Sequence, residues 1–157
     1  TKVIAQEKLA PLIKLLKGKR KKIVFTNGCF DILHMGHIYL LQKAKSFGDV
    51  LIVGINTDSS IRRIKGEKRP LIGEDERARV LSALACVDYV TFFDEDTPID
   101  IIKKITPDVL VKGGDYKKNE VVGAGYVDNH GGRVELVPVV NGLSTSNIIE
   151  KILTQYK

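Results

Sequence analysis

The chain alternates short apolar runs with helix-period segments from end to end, and this alternation constrains its fold more than any other feature. Val50-Leu51-Ile52-Val53-Gly54-Ile55 is apolar along its whole length, so a strand there must be covered on both faces, as in a parallel sheet. Lys22-Ile23-Val24-Phe25-Thr26, Tyr89-Val90-Thr91-Phe92-Phe93, Val109-Leu110-Val111 and Val134 to Val137 read as further short strands. Helical patterns fill the intervals at residues 34–47, 74–85, 98–105 and 144–153. Gly48 and Pro98 sit where a helix end and a helix start favour those residues. An amphipathic helix over residues 4–17 precedes the first strand, with Ile4, Leu9, Leu12, Ile13 and Leu16 at helical spacing. The pattern predicts an α/β class: a single doubly wound, Rossmann-like domain around a parallel sheet. A ligand of such a domain is expected beyond the C-terminal strand ends, at a switch in strand order.

With 157 residues the chain suits one domain, 1–157, comprising an N-terminal helix and basic loop over 1–20 and a core over about 22–153. Hydrophobic residues make up 43% and charged residues 28%, a globular balance that excludes a disordered tail or a membrane bundle. No apolar run approaches the ~18 residues of a membrane span. Thr1-Lys2-Val3-Ile4 lacks a signal-peptide core, so no membrane partner and a cytoplasmic location are expected. The first residue is not Met, which leaves open processing or a longer parent chain. Cys29 and Cys86 have no zinc-type spacing and are expected to be free thiols, and no metal-ligand set is read. The formal charge of +6 favours an anionic partner. The basic run Lys17 to Lys22 reads as a solvated loop, not a nucleic-acid surface.

Chemistry concentrates after the first strand, at Thr26-Asn27-Gly28-Cys29-Phe30-Asp31-Ile32-Leu33-His34-Met35-Gly36-His37. Asn27-Gly28 reads as a turn in which glycine lets amide groups approach a phosphate. His34 and His37 are three residues apart at a helix start and project from one face, where the helix dipole and free N–H groups favour anions. Gly36 removes a side chain between them, leaving room for a base or phosphate. Two of the three histidines of the chain in this context point to a site. A second hydroxyl-rich helix start, Ser144-Thr145-Ser146, exceeds the single residue that an N-cap needs and could ligate phosphate oxygens. Val111-Lys112-Gly113-Gly114-Asp115-Tyr116 could bring a carboxylate to a ribose.

His-x-Gly-His in this setting resembles the signature of the nucleotidyltransferase superfamily that includes cytidylyltransferases and pantetheine-phosphate adenylyltransferases. Gly28-Cys29-Phe30-Asp31 before the histidines is similar to its cytidylyltransferase-like branch, and Gly142-Leu143-Ser144-Thr145-Ser146 to its second signature. The resemblance implies that His34 and His37 bind a nucleoside triphosphate and stabilise the transition state at its α-phosphate, with Gly36 under the nucleotide. It gives Ser144, Thr145 and Ser146 to the β- and γ-phosphates. It gives a catalytic lysine to the loop over residues 56–70, best matched by Lys65, with Lys68 and Arg69 as alternatives. Arg77 matches a family arginine, although a surface ion pair would also suit it. Asn27, Gly28, Cys29, Phe30, Lys112 and Asp115 complete the expected nucleotide contacts; Asp31, Arg69 and Arg77 are expected near the second substrate. A basic residue usually precedes the hydroxyl run, but Val139, Val140 and Asn141 stand there, so that contact must come from elsewhere.

The wider strings narrow the resemblance. Gly66 to Pro70, Val87-Asp88-Tyr89-Val90, Thr97-Pro98 and Pro107 to Tyr116 are similar to the D-glycero-β-D-manno-heptose 1-phosphate adenylyltransferases, which make ADP-heptose for the lipopolysaccharide core. The resemblance runs over about residues 3–155 and implies ATP and a sugar 1-phosphate as substrates, Mg2+ with the ATP, a homodimer, and a heptose 7-phosphate kinase as fused or separate partner. A glycerol-3-phosphate cytidylyltransferase-like enzyme and a non-catalytic nucleotide- or nucleic-acid-binding module are the alternatives. No aromatic-interleaved basic stretch supports the latter, and no nucleic-acid partner is expected.

Overall fold

A computed structural model describes residues 1–157. Five strands, β1 (Ile23–Gly28), β2 (Val50–Asn56), β3 (Tyr89–Phe93), β4 (Val109–Gly113) and β5 (Arg133–Val137), form one all-parallel sheet in the order β3-β2-β1-β4-β5. Seven α-helices complete the domain: α1 (Leu9–Gly18), α2 (Met35–Lys45), α3 (Asp58–Lys65), α4 (Glu74–Ser82), α5 (Ile99–Ile105), α6 (Ala124–Asn129) and α7 (Thr145–Gln155). The architecture is the doubly wound α/β sheet that the alternation predicts.

The strand residues explain the two-layer covering. Ile23 and Phe25 of β1 and Val50 and Ile52 of β2 face one core, shared with Leu9, Ile13 and Leu16 of α1 and Ile101, Ile102 and Ile105 of α5. The intervening Val24, Leu51, Val53 and Ile55 face the other core, with Leu41 and Ala44 of α2 and Ala78 and Leu81 of α4. The period of two puts successive side chains on opposite faces, and apolar residues at both parities require helices on both.

The strand order reverses between β1 and β4. There β1 pairs with β4 only at Val24–Val109 and Phe25–Leu110, against six pairs with β2. Beyond Phe25 the two strands part, held once by the Thr26 hydroxyl donating to Val111 O at 2.9 Å. That splayed end is the crevice in which a doubly wound sheet binds ligands.

Several local expectations are corrected. The N-terminal helix begins at Leu9 after a short 3-10 turn, because residues 2–4 run along β3: Ile4 N donates to Val90 O and Val90 N to Lys2 O, each at 2.9 Å. Asn27-Gly28 is the end of β1, not a turn. The stretch from Asn56 to Pro70, read as a loop, contains α3, capped by the Thr57 hydroxyl accepting from Ser60 N. Helix α6 was not foreseen, and the helix expected over 74–85 ends at Ser82. Both cysteines are free and half-buried. No helix is long and apolar enough to cross a membrane.

Candidate active site

The connection from β1 to α2 makes its turn without glycine. Phe30 (φ 51°) and Ile32 (φ 50°) both adopt left-handed backbone. For a β-branched residue this is a strained state, costing of order 1–3 kcal/mol. Tertiary contacts hold it. Asp31 is buried, and its two carboxylate oxygens accept the N–H groups of Leu71 (2.8 Å) and Ile72 (2.9 Å). Phe30 is buried too, with its ring 5.1 Å from that of His37 and folded back over Gly28. A Cβ on Gly28 would stand 3.0 Å from the Phe30 ring and press on it, so glycine here eases this close approach and does not serve a turn.

The chain then enters α2 through a cap made of the two histidines. His34 precedes the helix as its N-cap (φ −142°, ψ 177°), one residue outside the first turn in which the sequence placed it. Its Nδ1 accepts from Gly36 N at 3.1 Å, and His37 Nδ1 accepts from His34 N at 3.3 Å. The rings stack with centroids 3.8 Å apart. A Cβ on Gly36 would lie 2.8 Å from the His34 ring and 3.3 Å from Leu143, so the missing side chain is what lets the imidazole and the approach to α7 close on the start of α2.

Those two bonds decide the state of the histidines. A nitrogen that accepts from a backbone N–H carries no proton, so each neutral ring bears its proton on Nε2. Burial lowers the pKa of both. For His37, burial, the neighbouring His34 and the Lys65 charge bring it to about 4, with Asp31 opposing. The pair therefore presents two neutral Nε2–H donors at neutral pH.

His37, but not His34, lines a cleft of about 150 Å³, partly open to solvent, at the C-terminal end of β1. Nine expected site residues line it: Asn27, Gly28, Cys29 and Phe30, then Asp31 and His37, then Lys65, Arg69 and Thr145. Lys65 reaches it from the last residue of α3 and not from a loop. Leu40 and Ile61 also line it; as apolar residues of α2 and α3 they carried no chemical signal in the sequence. The Cys29 thiol is pushed above its ordinary pKa, chiefly by burial, and stays protonated. It is no activated nucleophile.

The expected residues His34, Gly36, Arg77, Lys112, Asp115, Ser144 and Ser146 do not line it. Ser144 is the N-cap of α7, accepting from Asn147 N at 3.0 Å, and Thr145 donates to Asp31 O at 2.6 Å. Ser146 accepts from the Arg69 guanidinium at 3.2 Å. Arg69 thus places a cation beside the hydroxyl run, where Val139 to Asn141 offer none. Lys112 borders a neighbouring cleft that shares Asn27, whereas Asp115 is exposed and lines neither.

Arg77 is almost fully buried, so the surface ion pair is excluded. Its guanidinium donates to Cys29 O (2.7 Å), Asn56 O (2.9 Å), Ile72 O (2.9 Å) and Asp58 Oδ1 (2.7 Å), which ties the loops after β1 and β2 to α4. Asp31 is occupied in the same way by two backbone amides. Both residues hold the framework of the cleft, a role that depends on partners up to 48 residues away and was not legible from local sequence.

With this geometry in view, the comparisons are specific. The cytidylyltransferase-like family model matches residues 25–151. The chain belongs to the cytidylyltransferase-like family. Among its relatives, the bifunctional protein HldE of Geobacter sulfurreducens is 62% identical over 94% of this chain, and that of Syntrophotalea carbinolica 54% identical over all of it. The matches span 30% and 32% of those proteins, so the chain covers about a third of the curated relatives it resembles. Of solved structures, a lipopolysaccharide core biosynthesis protein from Thermoplasma volcanium superposes with a TM-score of 0.63 at 30% identity, covering 76% of this chain and 97% of that one. A pantoate-beta-alanine ligase from Francisella tularensis matches at 0.64 and 18% identity, covering 98% and 79%, which speaks for the fold alone. The motifs of this cytidylyltransferase-like chain that carry the resemblance, Gly28 to His37 and Gly142 to Ser146, converge through His37 and Thr145 on one cleft.

Proposed function

We propose that the chain is a nucleotidyltransferase that moves AMP from ATP to D-glycero-β-D-manno-heptose 1-phosphate, giving ADP-heptose and pyrophosphate. The observation that carries this reading is the stacked His34–His37 pair at the start of α2, with both Nε2–H groups free to donate and with His37 sharing its cleft with Lys65. The heptose and the adenine rest on the relatives and on the surrounding strings, not on the histidines.

A sugar phosphate has a second pKa near ~6, so at neutral pH it is largely a dianion and needs no general base. One of its oxygens bonds to the α-phosphorus of ATP while the bond to the β-phosphate oxygen breaks, and pyrophosphate leaves with that electron pair. Catalysis is then alignment and charge stabilisation. His34 and His37 donate to the non-bridging α-phosphate oxygens, and Lys65 offsets the charge that gathers there. Thr145, Ser146 and Arg69 suit the β- and γ-phosphates, near the N-terminus of α7. The one carboxylate lining the cleft, Asp31, is held by two amides, so a magnesium ion accompanying ATP would be held by the nucleotide and not by this chain, and would screen the triphosphate charge. The bifunctional relatives fit a partner activity that supplies the phosphorylated heptose.

The test is a pyrophosphate-release assay crossing ATP and CTP with heptose 1-phosphate and glycerol 3-phosphate. Release with ATP and heptose 1-phosphate well above every other pair is expected. Faster release with CTP and glycerol 3-phosphate would overturn the substrate assignment, and release with no pair would overturn nucleotidyl transfer.

A further inference from the structure

Much of the positive charge of the chain gathers at the end of the sheet that faces away from the cleft. Helix α1 leads into β1 and α5 into β4, so both helices end beside the N-terminal ends of those strands. The length of β1, about 17 Å, separates them from the cleft. Lys14 and Lys17 of α1 and the run Lys19-Arg20-Lys21-Lys22 after it are exposed there, as are Lys103 and Lys104 of α5. The Lys17 ammonium donates to Thr106 O at 3.1 Å, and Asp108 accepts from Ile23 N at 2.8 Å, which joins the two helix ends into one surface. None of these cations belongs to an ion pair. The sequence shows the basic run; only the fold adds Lys103 and Lys104 to it.

A solvated loop does not account for this surface. The helix dipole favours Lys17, Lys103 and Lys104, which lie in last turns, but it fades beyond them and leaves Lys19 to Lys22 unexplained. The exit from α1 is ordered: Arg20 N donates to Lys17 O (2.9 Å), Lys21 N to Leu16 O (3.0 Å) and Lys22 N to Asp49 Oδ2 (2.7 Å). Arg20 holds left-handed backbone (φ 56°), at a helix end where glycine is the least costly residue. An arginine stands there instead, among like charges that repel it. The acidic groups beside the run, Asp49 and Asp108, are turned to the backbone amides of Lys22 and Ile23. Fixed cations crowded in this way are relieved by an anionic partner.

We propose that this face docks the protein reversibly on an anionic lipid surface, with the cleft turned to the solvent. Leu15, 54% exposed on α1 between Lys14 and Lys17, supplies a short apolar anchor among the ammonium groups. The other side of α1, with Leu9, Ile13 and Leu16, is buried in the core, so the contact is shallow and chiefly electrostatic. No spanning helix is needed. All of the cations but Arg20 are lysines, compact point charges that suit a layer of lipid phosphates better than the paired acceptors of a base edge. Neither segment holds an aromatic ring on which a base could stack, which favours a lipid surface over a nucleic acid.

The test is co-sedimentation of the full chain with vesicles of phosphatidylcholine alone and of phosphatidylcholine and phosphatidylglycerol in equal parts. Binding to the mixed vesicles only, weakening as salt rises, is expected. Each basic residue at an anionic surface is worth about fivefold in partitioning, so the triple variant Lys19→Gln, Arg20→Gln, Lys21→Gln should bind roughly 100-fold more weakly. Lys103→Gln with Lys104→Gln should cost at least ~10-fold, which separates one joint surface from a basic loop acting alone. Thermal midpoints and pyrophosphate release in solution should stay those of the parent chain, since none of these residues lines the cleft. Equal binding to both kinds of vesicle, binding to neither, or undiminished binding in the triple variant would overturn the proposal. Tighter binding to a single-stranded oligonucleotide than to the mixed vesicles, lost in the same variants, would overturn it in favour of a nucleic-acid surface.

Discussion

At His37 a single backbone contact sets the chemistry. Because its Nδ1 accepts from the His34 amide, protonating the ring would set one N–H against another, and burial and Lys65 act in the same direction. An NMR titration of the imidazole should give a midpoint near about 4 in the free protein; a midpoint at the ordinary 6.5 would contradict the buried neutral state. The sign for stability follows. Between about 6.5 and 4 the unfolded chain binds a proton that the folded chain refuses, so this residue destabilises the fold as pH falls through that window. The spacing of the two histidines made them legible in the sequence. Their reciprocal cap was not, since His34 stands in for the usual hydroxyl or carboxylate of an N-cap. Phe30 and Ile32 gave no sign of left-handed backbone either, because that conformation is held by Asp31 bonding to a segment 40 residues away.

At the scale of elements, Arg77 shows how α4 serves a cleft that it does not line. Its four bonds join α4 to the ends of β1 and β2, including a 2.7 Å pair with Asp58 whose arginine side is almost fully buried. Arg77→Leu leaves three carbonyls and a carboxylate without their donor, and a loss of about 3–5 kcal/mol is expected from urea unfolding, as for a broken buried pair. A loss below about 1 kcal/mol would mean that the clamp is not structural. The sequence located every strand to within a few residues, because apolar runs covered on both faces are a strong local signal. It missed α3 and α6, which are short and bury few side chains: Ser60 and Ile61 in one, Ala124 and Val127 in the other. It began the first helix too early because Val3 and Ile4 are apolar for a different reason, packing beside β3.

In the whole molecule, the reversal of strand order at β1 and β4 produces a crevice, and the N-termini of α2 and α7 bring His37 and Thr145 to it. The crevice was predictable from alternation alone, since any doubly wound sheet has one. Its division into two clefts was not, because that depends on the early parting of β1 from β4. The central claim is that the Nε2–H groups of the histidine pair stabilise charge at a nucleotide α-phosphate. His34→Asn tests it most directly, because asparagine can keep the cap to Gly36 while removing the donor on the far side of the ring. With ATP and heptose 1-phosphate both saturating, pyrophosphate release should fall by at least ~100-fold while the thermal midpoint holds. Turnover near that of the parent chain would contradict the account.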